Sequence, residues 1–179
     1  MTPVALTRHP DLPSAAVRDV SARCIRRGGK LKFDYVAVGA LDRVRIPSPQ
    51  APGIGERLWE HTCFEAFIRV QGESAYHELN FAPSGVWAAF AFERYREGAA
   101  LIDAARDPRI AVQSDAARFT LEATVDLDHL SPHLARAPLS IGLCAVIEDR
   151  VGALSYWALA HPPGKPDFHH AHAFALELE

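Results

Sequence analysis

The sequence predicts an all-β protein, a β-sandwich or jelly roll of about ten antiparallel strands with one or two short helical turns. Three observations predict it: apolar and polar residues alternate with a period of two, Gly and Pro mark turns at short intervals, and a helical period is rare. The 179 residues, 49% of them hydrophobic, suffice to bury a substantial core. We therefore expect a single domain over residues 1–179.

Two runs show the strand pattern most clearly. Residues 117–126 alternate strictly, which predicts one buried and one solvated face, and residues 139–147 are apolar on both faces, which predicts a strand covered on both sides. Gly28 and Gly29 separate two further runs, and this pair favours a two-residue hairpin turn because glycine reaches positive φ without strain. The predicted strands are 17–26, 30–38, 62–70, 75–81, 86–92, 109–113, 117–126, 139–147, 154–159 and 173–178.

The remaining segments are predicted as turns and loops. Residues 127–134 and 97–105 are the two stretches in which we expect a helical turn. Residues 47–55 and 162–166 are rich in Pro and Gly and are predicted as the two long loops.

Composition excludes several classes of function. The formal net charge of −3 argues against a broadly basic nucleic-acid binder, and without a run of about 18 apolar residues we expect no membrane span. The first ten residues lack the charged head and apolar run of a secretory signal. Cys24, Cys63 and Cys144 are widely spaced in apolar runs and are predicted to be buried thiols in a reducing compartment, so we expect a cytoplasmic location.

Two predicted strands carry carboxylates among aromatic residues. Alternation puts Glu65 on the same face as Phe67, and it puts Tyr76, Glu78 and Asn80 together on one face of the next strand. If the strands are antiparallel neighbours, these groups form a sheltered polar surface. Three uses are open at this point: binding the hydroxyls of a sugar, acid and base catalysis of glycoside hydrolysis, or a buried network that fixes the strand register.

Tryptophan and histidine add further candidates. Trp59 and Trp157 adjoin the two long loops and Trp87 lies within a strand, so each indole is either core or a ligand platform. Four of the nine histidines fall within residues 161–172, namely His161, His169, His170 and His172. His170 and His172 have a spacing that can chelate a metal with a third ligand, and the alternative is that these are ordinary loop histidines. The phosphate-binding, dinucleotide-binding and GxSxG motifs are absent from the sequence.

Two stretches resemble a known family: Trp59-Glu60-x-x-Cys63-x-Glu65-x-Phe67 and Tyr76-x-Glu78-x-Asn80-x-x-Pro83-x-Gly85-x-Trp87. They resemble the DOMON-like superfamily, in the branch shared with family-9 carbohydrate-binding modules. The stretch from Tyr156 to His169 resembles a bacterial subgroup of small DOMON-like proteins. The resemblance implies a β-sandwich that binds sugars or, in other branches, haem. Calcium is structural in some of these modules, but Glu60-His61 stands where they often carry two acids.

The combined expectation is a non-enzymatic binding module for a small polar ligand, most plausibly a carbohydrate or sugar derivative, with no metal or cofactor and with no nucleic-acid or membrane partner. The predicted ligand-binding residues are Trp59, Glu65, Tyr76, Glu78, Asn80, Trp87, Trp157, His161, Lys165, Asp167 and His169. One alternative is a haem or metal binder using the histidine cluster, with two His as axial ligands because the only Met is the initiator. Another is an interaction module that docks on a partner enzyme. The oligomeric state stays open.

Overall fold

The computed structural model describes residues 2–103 and 107–179, and these contain thirteen β-strands. The strands are β1 (Val4–Arg8), β2 (Val17–Arg27), β3 (Lys30–Gly39), β4 (Gly53–Ile54), β5 (Cys63–Val70), β6 (Tyr76–Phe81), β7 (Val86–Arg94), β8 (Glu97–Ala100), β9 (Arg109–Ser114), β10 (Arg118–Asp126), β11 (Leu139–Glu148), β12 (Leu154–Ala158) and β13 (Leu176–Leu178). The helices are α1 (Leu127–Leu130) and short 3-10 turns at Leu41–Arg43, Leu58–Glu60 and Ala171–Ala173. The predicted all-β class is confirmed.

The secondary structure agrees with most of the predicted elements. Nine predicted strands are present near their full length, the strand predicted over 173–178 is present only as Leu176–Leu178, and α1 confirms a helical turn within residues 127–134. The helical turn predicted over 97–105 is wrong at its start, because Glu97–Ala100 forms β8 and pairs with β7 across a turn at Arg96, whose φ is 57°. Residues 104 and 105 of that prediction lie outside the described residues. The strands β1, β4 and β8 were not predicted.

The strands form one curled sheet whose two halves pack face to face. The order is β4-β7-β6-β5-β11-β12-β1-β2-β3-β10-β9, with β13 on β11 and β8 on β7. All described pairs are antiparallel except β4 and β7, which are parallel. We call β2, β3, β9 and β10 sheet A and β4–β8 with β11–β13 sheet B. Strand β1 joins the halves, because it pairs with β2 through Val4–Leu6 and with β12 through Thr7 and Arg8.

The β2–β3 hairpin turns at Gly28 and Gly29, as the sequence predicts. Their φ angles are 54° and 73°, the left-handed values that a primed two-residue turn requires. The ladder that follows runs from Arg27 opposite Lys30 to Val17 opposite Gly39. The turn therefore fixes the register of the longest pair in sheet A.

The core fills the space between sheets A and B. Phe64 of sheet B stacks on Phe119 of sheet A with ring centroids 5.3 Å apart, and the Tyr35 hydroxyl donates to the Glu65 carbonyl oxygen across the core at 2.7 Å. Trp87 and Trp157 belong to this core and are 1% and 3% exposed. Burial of these large side chains contributes apolar area that holds the halves together.

The outer face of sheet B is also apolar, and a second layer covers part of it. Alternation points Phe67, Tyr76 and Val146 away from the core, and Phe168 and Phe174 of the C-terminal segment (residues 159–175) pack on them. Gly142 permits this docking, because a Cβ there would lie only 3.0 Å from the Ala173 carbonyl oxygen. The segment therefore lies directly against β11 and borders the open part of the face.

Two further expectations concern thiols and membrane spans. Cys24, Cys63 and Cys144 are all free and buried, as predicted. Within residues 2–103 and 107–179, no helix has the length and apolar character needed to cross a bilayer.

Candidate functional site

A cleft of about 330 Å³ opens on the outer face of sheet B. Its walls are mostly aromatic, and two carboxyl groups, a guanidinium and an imidazole supply its polar groups. The lining residues are Trp59, Glu65, Phe67, Glu78, Phe90, Phe92, Arg96, Val146, Tyr156, Pro166, Phe168 and His169. An apolar concavity with a few convergent polar groups is typical of a small-molecule site.

The pairing of β5 and β6 places the two carboxyl groups on one floor. The strands are antiparallel neighbours, with Glu65 opposite Asn80 and Glu78 opposite Phe67. Glu65 and Glu78 are therefore diagonal neighbours on the same face. Phe90 of β7 lies opposite Glu78 on the other side and continues this floor.

Glu65 is the more deeply buried acid. Glu65 is only 3% exposed, and its side-chain Oε1 has no hydrogen-bond partner. Among the described residues it forms no ion pair. Burial raises the pKa of Glu65 well above its usual range, and the neighbouring Glu78 charge adds to this. We therefore expect Glu65 to be protonated at neutral pH.

Glu78 has a more polar environment. Asn80 Nδ2 donates to its Oε1 at 2.8 Å, and His169 Nε2 lies 3.5 Å from its Oε2. Burial raises the pKa of Glu78 to about 7, while the Asn80 hydrogen bond and the Arg96 charge oppose that rise. The fully buried Asn80 is held in turn by the Cys63 thiol, whose Sγ lies 3.8 Å from Asn80 Oδ1. The two carboxyl groups therefore differ in protonation near neutral pH.

His169 is held in a defined tautomer by Tyr76. The Arg96 backbone N–H donates to the Tyr76 hydroxyl at 3.0 Å, so that hydroxyl can donate its own proton to His169 Nδ1 at 2.8 Å. Burial lowers the pKa of His169 to about 4, which keeps the ring neutral at pH 7. We therefore assign the remaining ring proton to Nε2, which faces the Glu78 carboxylate.

Asp167 ties the C-terminal segment to the turn between β7 and β8. It accepts hydrogen bonds from the Tyr95 hydroxyl at 2.6 Å, the Arg96 guanidinium at 2.8 Å and the His169 backbone N–H at 3.1 Å. These bonds place His169 over the floor of the cleft. They also pair the charge of Arg96 with a carboxylate outside that floor.

The cleft brings together only part of the predicted site. Trp59, Glu65, Glu78 and His169 line it, and Trp59 is 39% exposed beside Phe90 with ring centroids 5.7 Å apart. Three other predicted residues support it without lining it, namely Tyr76, Asn80 and Asp167.

The expected ligand contacts of Trp87 and Trp157 need correction. Both indoles lie in the core on the opposite face of sheet B, and Trp157 Nε1 donates to Ser155 Oγ at 3.0 Å. The physical reason is alternation, because Tyr156 on the same strand takes the outward position that faces the cleft. These two tryptophans cannot line the cleft.

His161 and Lys165 lie outside the cleft. His161 Nε2 lies 2.8 Å from the Thr7 carbonyl oxygen, and Lys165 borders a separate depression beside His9. His170 and His172 pair with each other, with the His172 backbone N–H donating to His170 Nδ1 at 3.2 Å. In the part of the chain that the structure describes, no three His, Cys, Asp or Glu side chains converge on a possible metal position. The histidine cluster therefore does not form a common site.

Sequence reasoning missed most of the apolar wall. Phe90 and Phe92 could have been found, since alternation puts them on the face opposite Trp87. Arg96 and Phe168 could not, because they reach the cleft from a turn and from the distant C-terminal segment.

The comparisons with known proteins concern the fold. No protein-family model and no curated protein matches the sequence. Among solved structures, a putative carbohydrate-binding protein from Bacteroides uniformis is similar over 96% of this chain and 82% of its own, with a TM-score of 0.68 and 15% identity. A family-9 carbohydrate-binding module from Caldicellulosiruptor kristjanssonii, in complex with glucose, covers 82% of this chain and 69% of its own, with a TM-score of 0.47 and 9% identity.

The likeness to the Bacteroides uniformis protein identifies a class of fold. The chain has the β-rich fold of the Bacteroides uniformis protein. At a sequence identity of 15%, the similarity supports a shared fold and not a shared function. What the cleft binds must be argued from its own residues.

Proposed function

We propose that this protein is a non-catalytic binding module for a small carbohydrate or sugar derivative, held in the cleft on sheet B. We further propose that it is a DOMON-like protein of the branch related to family-9 carbohydrate-binding modules, that residues 1–179 form one domain and that it acts in the cytoplasm. The observation that carries the binding role is the pairing of buried carboxyl groups with aromatic rings in one open cleft.

The polar groups and the aromatic rings of the cleft match the two kinds of surface that a sugar presents, its hydroxyls and its C–H faces. Hydroxyls need donors and acceptors, which Glu65, Glu78 and His169 supply at the floor. The C–H faces of a sugar ring pack on aromatic surfaces, and Trp59 and Phe90 offer these at the side of the cleft. The volume of about 330 Å³ is at the small end of the range for ligand sites, which suits a ligand of one or two rings.

Calorimetry with a panel of mono- and disaccharides tests this function. We expect at least one sugar to bind, and we expect Trp59→Ala and Glu78→Gln each to weaken that binding at least about tenfold. The matched controls are Val151→Ala and Glu177→Gln, which change exposed residues outside the cleft and should leave affinity unchanged. If folded wild-type protein binds no sugar of the panel, the proposed function is wrong.

The different states of the two acids favour glycoside hydrolysis as a second candidate. Burial keeps Glu65 protonated while Glu78 titrates near neutrality, which is the division that an acid and a base require. Assays with aryl glycosides decide between the roles. Turnover that is lost in both Glu65→Gln and Glu78→Gln would replace the binding role with a catalytic one.

A further inference from the structure

Among residues 2–103 and 107–179, the floor of the cleft contains two acids and no unpaired cation. The titratable groups around the floor are Cys63 and Glu65 of β5, Tyr76 and Glu78 of β6, Arg96 of the β7–β8 turn, Cys144 of β11, Tyr156 of β12, and Asp167 and His169 of the C-terminal segment. Arg96 is the one residue of this set with a permanent positive charge, and Asp167 pairs with it at 2.8 Å. Ionisation of both acids would therefore leave negative charge on the floor without a partner among the described residues.

Glu65 provides an independent sign of a missing partner. Its Oε1 is inaccessible to solvent and has no hydrogen-bond partner, although the residue lines the cleft. A buried oxygen without a donor costs free energy, and native structures usually satisfy such atoms. A ligand group that donates hydrogen bonds would remove this cost.

Aromatic rings surround the same floor. Phe67 and Phe90 are the direct cross-strand neighbours of Glu78, and Trp59 packs edge-on against Phe90. The face of an aromatic ring attracts a cation that lies within about 6 Å, and the attraction grows when water is excluded. Carboxyl groups and aromatic rings on one floor together favour an ammonium group over a hydroxyl.

We propose that the ligand carries a primary amine, as an amino sugar does, and that its ammonium group binds between Glu65 and Glu78. This inference rests on the proposed function and specifies the class of sugar. An ammonium has three N–H donors, enough for the Glu65 carboxyl group and a remaining lone pair of the Glu78 carboxylate. It also supplies the positive charge that allows both acids to ionise.

Ionisation of the floor predicts proton release. At pH 6 a sugar amine is largely protonated in solution, whereas Glu65 and most of Glu78 carry protons in the empty cleft. Ammonium binding lowers the pKa of both acids, so protons leave the floor as the ligand binds. A neutral sugar that accepts a hydrogen bond from protonated Glu65 releases none.

Calorimetry at pH 6 in two buffers of different ionisation enthalpy measures both affinity and proton release. The probes are glucosamine, N-acetylglucosamine and glucose, the same three forms in the galactose series, and 2-aminoethanol as an amine without a sugar. We expect one amino sugar to bind at least about tenfold more tightly than its neutral forms, with net release of protons. Glu65→Gln should remove most of that preference, and Glu177→Gln should not.

The possible outcomes separate this inference from the proposed function. A neutral sugar that binds as tightly as its amine, without proton release, overturns the amine inference and leaves sugar binding intact. Binding of 2-aminoethanol as tightly as of any sugar, with proton release, supports the amine and overturns the sugar. Absence of binding by every probe overturns both. Intrinsic fluorescence of the buried Trp87 and Trp157 shows whether each variant is folded. If Glu65→Gln is not folded, Glu78→Gln serves as the second variant.

Discussion

Replacing Glu65 by Gln should stabilise the protein, and more so as the pH rises. In the unfolded chain Glu65 ionises near its ordinary pKa of 4.5, whereas burial raises its pKa in the folded protein, which therefore keeps the proton. A group with a raised folded pKa favours the folded state below the unfolded pKa, and that advantage is lost as the pH rises. Gln does not ionise, so the variant does not lose this stability as the pH rises.

The size of the effect follows from proton linkage. Each pH unit over which only the folded state keeps the proton costs about 1.4 kcal/mol, so a proton kept from pH 5 to pH 7 costs roughly 3 kcal/mol. Because the Glu78 charge raises the pKa of Glu65, the difference between wild type and Glu65→Gln includes any change in the titration of Glu78.

Urea denaturation at pH 5, 6 and 7, followed by tryptophan fluorescence, measures the difference in the free energy of unfolding. Glu177→Gln is the matched control, because Glu177 is an exposed carboxylate on β13, and its curve should follow that of the wild type. If the free energies of wild type and Glu65→Gln change in parallel with pH, Glu65 ionises within the folded protein. The floor of the cleft is then not protonated at Glu65 in the folded protein.

Two further predictions concern the core and the imidazole. Trp87→Ala should lower the free energy of unfolding by roughly 3–5 kcal/mol, whereas Trp59→Ala should lower it by under about 1 kcal/mol. The reason is that Trp87 is 1% exposed and Trp59 is 39% exposed. Equal losses in urea denaturation would contradict this placement. The lowered pKa of His169, about 4 against 6.5 unfolded, should reduce stability as the pH falls from 6.5 toward 4, by roughly 2–3 kcal/mol. Nitrogen chemical shifts of its ring should remain those of the neutral form at pH 5, and an imidazolium spectrum there would refute the assignment.

Much of the fold could be predicted from the sequence because strand alternation is a local property. The ten predicted strands and the Gly28-Gly29 turn follow from residues within each segment. Three described strands, β1, β4 and β8, were missed, and two of them have no local signal. Strand β4 has two residues and β8 is exposed along its whole length, so neither shows an apolar period. Both depend on pairing with β7, a long-range contact.

The candidate site was predictable where one strand pair creates it. Glu65 and Glu78 alternate with apolar residues on neighbouring strands, and the local pattern was enough to put them together. The walls were not predictable in the same way. His169 reaches the floor only because Asp167 bonds to Arg96, 71 residues away along the chain.

The sequence by itself determined the all-β class, the strand positions and which residues share a face. Only the tertiary structure decided which face of a strand lies inward. On β7 both Trp87 and Phe90 have apolar neighbours, so periodicity cannot tell the core from the cleft. The inward face is chosen by what covers it: sheet A packs over Trp87, while beside Phe90 the covering layer is incomplete and leaves a cleft. Alternation determines only that successive side chains point to opposite faces of the sheet. Which of the two faces is buried depends on segments far along the chain.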